Sequence, residues 1–171
     1  MLTVWSLEFP LGVWYDLQDD GPDGENPEQN YGLVDANGAP KPAMQAVKTV
    51  MSAVKGHRYA GMIQHAPSGM HAMRFEGPSD VLFIVWNERA GKPQTIRYTK
   101  EHLVSVTDLM STRVELKADS SREMQMEVDE ASGPIYLLWK RPPASARYVV
   151  PSRISRETPI GSTHIGTWPH P

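Results

Sequence analysis

The sequence contains no cysteine, which excludes disulfide bonds and thiolate metal sites but does not identify a compartment. It also lacks a large excess of charge of one sign. It has 17 Lys and Arg and 20 Asp and Glu, so the formal net charge is −3. The chain therefore carries no electrostatic footprint for nucleic acid or an anionic membrane surface. No apolar run approaches the roughly 20 residues that a membrane-spanning helix needs. We expect neither a nucleic-acid nor a membrane partner.

What is present fits an ordinary folded protein. The 171 residues are 40% hydrophobic and 22% charged, which allows a packed core in one domain and a little more. Histidines are few and scattered without metal-ligand spacing, so we expect no metal and no cofactor. The proline-rich tail over residues 141–171 is predicted to be disordered.

The first third of the chain has the order strand, loop, helix. Residues 2–9 are predicted to be the last part of an apolar helix, and residues 12–17 are predicted to form a short strand. An acidic loop follows over residues 18–30. Residues 42–55 are predicted to be a helix, because their apolar residues fall on one stripe, with Pro42 in the first turn and Gly56 at the stop. This order is typical of a β/α barrel, where ligand groups sit at the carboxyl ends of the strands.

After Gly56 the hydrophobic period changes from helical to two. Eight short strands spaced about ten residues apart favour an antiparallel sandwich. The strand at 80–87 is apolar on both faces and is predicted to be central, with a hairpin turn at 87–91 joining it to 94–99. The remaining strands are predicted at 57–63, 70–76, 103–107, 112–117, 123–128 and 134–140. One buried face is predicted to contain Val81, Phe83, Val85, Val114, Leu116, Ile135 and Leu137.

Several segments resemble a known family. Gly12-Val13-Trp14-Tyr15-Asp16, Asp19-Asp20-Gly21, Pro27-Glu28-Gln29-Asn30-Tyr31-Gly32-Leu33 and Lys41-Pro42-Ala43 resemble, in this order, the last β/α unit of retaining glycoside hydrolases of the cellulase-like (β/α)8 superfamily. Val85-Trp86-Asn87, Val106-Thr107-Asp108 and Pro134-Ile135-Tyr136-Leu137 resemble the C-terminal sandwich that often follows this barrel. Leu109-Met110-Ser111 stands where the family turn carries glycine.

The resemblance implies a mainly β fold: an antiparallel β-sandwich preceded by the terminal β/α unit of a truncated TIM barrel. Residues 1–56 would be the barrel unit, residues 57–140 the sandwich and residues 141–171 the tail. In this family two glutamates on the fourth and seventh strands act as nucleophile and acid/base. This chain begins after the seventh strand, so the resemblance implies that it has no catalytic residue and is inactive alone.

Without catalytic residues, the candidate site that the resemblance implies is a surface that would contact the sugar substrate, called here the wall. An aromatic ring covers the apolar face of a sugar, and alternation along the strand puts only one of Trp14 and Tyr15 in the barrel mouth. Asp16 accepts hydrogen bonds from sugar hydroxyls, holds a neighbouring catalytic group or caps local backbone. Glu28 and Asn30 match the family's Pro-Glu-x-Asn segment. The remaining acidic side chains of the loop are expected to be solvated or to form Asx-turns.

Two other interpretations stay open. A non-catalytic carbohydrate-binding sandwich needs exposed aromatics in a row, whereas Trp86 and Trp139 are predicted to be buried. A purely structural sandwich would seal the outer helices of the barrel. In every case the lone strand at 12–17 lacks neighbours in the chain, so we expect self-association through it or mobility of residues 1–30.

Overall fold

The computed structural model describes Leu2, Val4 and residues 12–63, 66, 69–89, 91–99, 101–118 and 123–141. Leu2 and Val4 are helical. The rest of the predicted helix over residues 2–9, and the predicted tail after residue 141, lie outside the described residues. Within the described part, no helix is both long and apolar enough to cross a membrane.

The predicted helix over residues 42–55 is confirmed. Helix α1 spans Pro42–Val54, with Pro42 at its first position. It ends before Gly56, whose φ of 80° is a left-handed conformation that glycine adopts without a steric penalty. A 3-10 helix, Pro27–Gln29, lies in the acidic loop.

Within the described ranges, eight strands form two antiparallel sheets. The five-stranded sheet has the order β1-β2-β3-β8-β5, and the three-stranded sheet has the order β4-β7-β6. The strands are β1 (Arg58–Met62), β2 (Met70–Glu76), β3 (Asp80–Asn87), β4 (Gln94–Thr99), β5 (Leu103–Thr107), β6 (Lys117–Ala118), β7 (Glu123–Val128) and β8 (Ile135–Lys140). The predicted fold class, mainly antiparallel β with one preceding helix, is confirmed.

The five-stranded sheet is covered on both faces. One face packs against the three-stranded sheet, and the other face packs against α1. Strand β3 lies in the middle, and its residues 81–85 are buried whichever face they point to. All seven residues of the predicted buried face belong to the cluster between the sheets, with Val114 and Leu116 partly buried. The cluster on the helix side includes Val50, Met73, Phe75, Leu82, Ile84 and Tyr136.

The hairpin predicted between residues 80–87 and 94–99 is wrong. Strand β3 pairs with β2 and β8, whereas β4 pairs with β7 in the other sheet. The turn is replaced by a crossing from one sheet to the other, stabilised by Asn87, which is 3% exposed. Its amide nitrogen donates to the carbonyls of Lys92 at 2.8 Å and Val128 at 3.1 Å. A buried polar side chain thus ties both sheets together at the crossing.

Two predicted strands do not form as expected. Of residues 112–117, only Lys117 enters a strand, and Arg113 makes an isolated bridge to Thr107. Ser111 has a φ of 65° in the turn where the family pattern carries glycine. The predicted strand over residues 12–17 is also absent, and an isolated parallel bridge joins Gln18 to Val34 just beyond it. A strand needs a neighbour for its backbone groups, and the described chain offers this segment only residues 31–34.

Candidate functional site

Residues 16–19 and 31–34 lie side by side and form the base of the acidic loop. The Leu17 carbonyl accepts from the amides of Leu33 and Val34, each at 3.0 Å, and the Asp19 amide donates to the Val34 carbonyl at 3.0 Å. Gly32 allows this approach, because a Cβ atom there would lie 2.3 Å from the Asp19 nitrogen and 2.6 Å from the Val34 carbonyl oxygen. A glycine is therefore required at position 32 by close backbone packing.

Asp19 and Lys41 form a salt bridge at this base. The Lys41 Nζ atom lies 2.8 Å from Asp19 Oδ1 and 3.0 Å from Oδ2, and the Asp19 side chain is 5% exposed. The Gly32 amide also donates to Asp19 Oδ1 at 2.8 Å. The Lys41 hydrogen bond, aided by that of Gly32, holds the pKa of the Asp19 carboxyl below its ordinary value against the opposing effect of burial.

The rest of the acidic loop closes through local side-chain hydrogen bonds. Asp23 accepts from the Glu25 amide at 3.1 Å, and Asn26 accepts from the Glu28 amide at 3.1 Å. These are the Asx-turns expected from the composition. The Asn30 side chain donates to the carbonyls of Asp23 at 2.8 Å and Asn26 at 2.7 Å. Its amide nitrogen is thus used inside the loop, which gives Asn30 a loop-closing role.

Tyr15 lies on the acidic side of the segment. Its side chain is exposed, and its hydroxyl donates to Asp20 Oδ2 at 3.4 Å. The pKa of Tyr15 is raised, first by the negative charge of Asp20 and then by that of Asp16, with a smaller contribution from Glu28. An accessible ring is therefore hydrogen-bonded to one carboxylate, that of Asp20, and lies in the negative field of two more, those of Asp16 and Glu28. Asp16 also accepts a hydrogen bond from the Leu17 amide, the local contact that the sequence left as one alternative.

Trp14 points to a different environment. Its indole nitrogen donates to the Tyr31 carbonyl at 3.4 Å. The indole lines an apolar cleft of about 350 Å³ between α1 and the five-stranded sheet, together with Trp86 and Tyr136. The Tyr136 hydroxyl is buried without a hydrogen-bond partner among the described residues, and burial raises its pKa to about 12. Trp14 and Tyr15 therefore divide between the cleft and the acidic loop, although no strand forms here whose alternation would separate them.

The structure places the five predicted site residues in three different surroundings. Tyr15, Asp16 and Glu28 share one electrostatic environment, whereas Trp14 faces the cleft and Asn30 lies inside the loop. Asp20 lies beside Tyr15, and the sequence does not predict this, because it offers no means to rank Asp20 above the other acidic residues of the loop. No group of three or more His, Asp or Glu side chains in the described ranges is arranged to hold a metal ion.

The sandwich aromatics whose exposure the structure describes do not form an exposed row. Trp86 and Trp139 are both partly exposed, although they were predicted to be buried. The ring of Trp86 stacks on His71 with a centroid distance of 4.9 Å. The ring of Trp139 meets the edge of Phe83 at 5.4 Å. Each indole is therefore engaged within the sheet on at least one side.

This architecture is similar to part of a glycoside hydrolase. A family 39 glycoside hydrolase from the gut symbiont Bacteroides cellulosilyticus is 25% identical in sequence and superposes with a TM-score of 0.61. The match covers 74% of this chain, and the chain spans only 26% of that enzyme. A GH30 endoxylanase from Clostridium papyrosolvens, 9% identical, superposes with a TM-score of 0.49 over 65% of this chain and 31% of its own. No protein-family model and no curated protein matches the sequence.

Proposed function

We propose that this chain forms the last β/α unit and the C-terminal sandwich of a retaining glycoside hydrolase, with both catalytic glutamates supplied by polypeptide outside this sequence. The chain acts in cleavage of O-glycosidic bonds by providing one wall of the sugar site. The observation that carries the proposal is the exposed Tyr15 ring, whose hydroxyl bonds to Asp20 and which lies in the negative field of Asp16 and Glu28.

The chemistry of this wall suits a sugar. The aromatic face buries the C–H face of a pyranose, and carboxylate oxygens accept hydrogen bonds from its hydroxyls. Retaining glycosidases need a nucleophile and an acid/base about 5–5.5 Å apart. The Tyr15 environment has carboxylates, but the family resemblance assigns neither catalytic role to them. We therefore assign these residues to substrate binding.

The exposure of the neighbouring residues also supports a missing partner for this segment. Val13 is 82% exposed and Leu17 is 64% exposed. Apolar side chains so exposed, next to an unformed strand, fit a segment whose neighbours are the other strands of a barrel. The similarity to 26% of a family 39 enzyme points the same way.

A sugar titration tests the proposed wall. The ¹⁵N-labelled full chain is titrated with xylobiose and, separately, with cellobiose. We expect weak, millimolar binding that shifts the amide signals around Tyr15 and Asp20, because only one side of the site is present. Tyr15→Ala should abolish the shifts, whereas Val104→Ala, an exposed position on β5 of the sandwich, should preserve them.

Two results would count against the proposal. Shifts confined to the sandwich would favour the carbohydrate-binding module, and shifts that survive Tyr15→Ala would mean that Tyr15 is not the sugar-facing ring. The purified chain should also release no nitrophenol from 4-nitrophenyl glycosides above the buffer rate. Turnover that follows the pure protein would contradict the assignment of both glutamates to other polypeptide.

A further inference from the structure

The Asp19 carboxylate is buried, whereas the other acidic side chains of the loop that follow it are exposed. Its side chain is 5% exposed, whereas Asp20, Asp23, Glu25 and Glu28 are all exposed. A carboxylate removed from water is costly unless charge and hydrogen bonds compensate it. Lys41 and the Gly32 amide provide that compensation, so Asp19 is fixed in position while the other acidic side chains of the loop are solvated.

Lys41 lies directly before the N-terminus of α1, where a positive charge does not stabilise a helix. It is the residue before α1, makes no side-chain cap, and the first turn of α1 has no acidic residue. Helix N-termini favour Ser, Thr, Asp or Asn and disfavour positive charge. The Lys41 ammonium instead reaches across 22 residues of sequence to Asp19. Its side chain therefore serves a tertiary contact at some cost to the helix.

Lys41 is also connected by hydrogen bonds to the proposed sugar-binding wall, the segment Trp14–Tyr15–Asp16. Besides Asp19, its Nζ atom donates to the Asn30 carbonyl at 2.9 Å. The next residue, Tyr31, accepts hydrogen bonds at its carbonyl from the Trp14 indole at 3.4 Å and from the Asp16 amide at 3.3 Å. A continuous set of hydrogen bonds thus links Lys41, through the 30–31 backbone, to the residues on both sides of Tyr15.

We propose that Asp19 and Lys41 are a positioning pair that holds residues 30–32 against residues 16–19 and thereby fixes the orientation of the Trp14–Tyr15–Asp16 segment. Neither side chain touches the sugar. The effect on sugar binding rests on the proposed function, whereas the effect on the segment does not. The pair acts through geometry, since an aromatic wall can cover a sugar only when its backbone is held in one place.

The first test measures the segment without any ligand. Asp19→Asn and Lys41→Met are compared with wild type by the Trp14 indole N–H signal and by amide hydrogen exchange at Leu33 and Val34. We expect the Trp14 signal to move or broaden and the exchange of both amides to accelerate at least about tenfold, the factor for loss of 1.4 kcal/mol of local stability. Amides of β3 should not change.

Matched controls separate positioning from a general charge effect. Asp23→Asn removes the same charge from the same loop, keeps an Asx-turn acceptor and has no lysine partner among the described residues, so it should match wild type. Lys41→Arg retains the cation and should restore most of the exchange protection lost in Lys41→Met. The proposal is overturned if Asp19→Asn behaves like Asp23→Asn, or if Lys41→Arg is as disruptive as Lys41→Met.

The second test adds xylobiose to the same variants. We expect Asp19→Asn to lose the shifts around Tyr15 and Asp23→Asn to keep them. If wild type binds no xylobiose or cellobiose, the proposed function fails while the exchange and indole measurements still decide the role of the pair. Loss of segment order with undiminished sugar shifts would overturn the link between the pair and the wall.

Discussion

Replacing Phe83 by alanine tests whether the two-sheet core folds around the residues identified above. Phe83 is 7% exposed, lies between the sheets and meets the ring of Trp139 nearly at right angles, 87° between planes. A buried phenylalanine removes about 150 Å² or more from water, which at about 25 cal/mol per Å² corresponds to about 4 kcal/mol. Measured losses for Phe→Ala in cores are about 3–5 kcal/mol.

The measurement is urea unfolding of the full chain, followed by circular dichroism and by tryptophan fluorescence. We expect the midpoint to fall with an unchanged slope, because the same surface is exposed on unfolding. Val104→Ala is the control, since Val104 lies on β5 of the same sheet but is 51% exposed, and its change should stay within about 0.5 kcal/mol. A loss below about 1 kcal/mol for Phe83→Ala would refute the packed core between the sheets.

Three further predictions follow from other parts of the molecule. Tyr136→Phe should leave the free energy of unfolding unchanged or raise it, because the hydroxyl has no partner in the described structure. The Tyr136 pKa rises from 10.0 to about 12 on folding, so wild type should lose stability as pH rises from 10 to 12. In a pH series of urea unfolding, the Phe variant should lack this loss; an equal alkaline loss in both proteins would contradict the assignment. Gly32→Ala should accelerate amide exchange at Leu33, because its Cβ would meet the Asp19 nitrogen at 2.3 Å; unchanged exchange would mean that the close approach is not maintained. Deleting residues 1–38 should reduce self-association in sedimentation velocity, since it removes the exposed Val13 and Leu17, and should leave the sandwich transition nearly unchanged in calorimetry; an unaltered sedimentation profile would locate the association elsewhere.

The sequence predicts the elements of the sandwich better than their partners. Helix α1 and the central strand β3 agree with the predicted ranges, because each has a clear period or a continuous apolar run. The alternation of apolar and polar residues along a strand predicts which face of the sheet a residue occupies, but it does not predict which strand lies beside it. The crossing after β3 depends on Asn87, whose contact with Val128 joins positions 41 residues apart. No local pattern contains that information.

The same limit applies to the acidic loop. Its acidic residues look alike in sequence, and the Asx-turns of Asp23 and Asn26 follow from local rules. The burial of Asp19 does not, because it depends on Gly32 bringing a second backbone segment within hydrogen-bond distance. Strand alternation does not explain the separation of Trp14 from Tyr15, because no strand forms over residues 12–17. Only the positions of Asp20 and α1 show which of the two faces the carboxylates.

One feature of the sequence does indicate the Asp19–Lys41 contact, namely a residue that departs from the usual preference at a helix N-terminus. A residue directly before a helix that begins with proline is a natural place for Ser, Thr, Asp or Asn, yet the chain has Lys41 there. Natural sequences depart from local preferences mainly where tertiary structure or function compensates the cost. The compensation here is an acidic partner 22 positions earlier, in the loop beside the proposed sugar wall. A cation at the start of a helix, preceded by an acidic loop, therefore indicates where to look for a long-range ion pair, even though the sequence alone does not identify which carboxylate it meets.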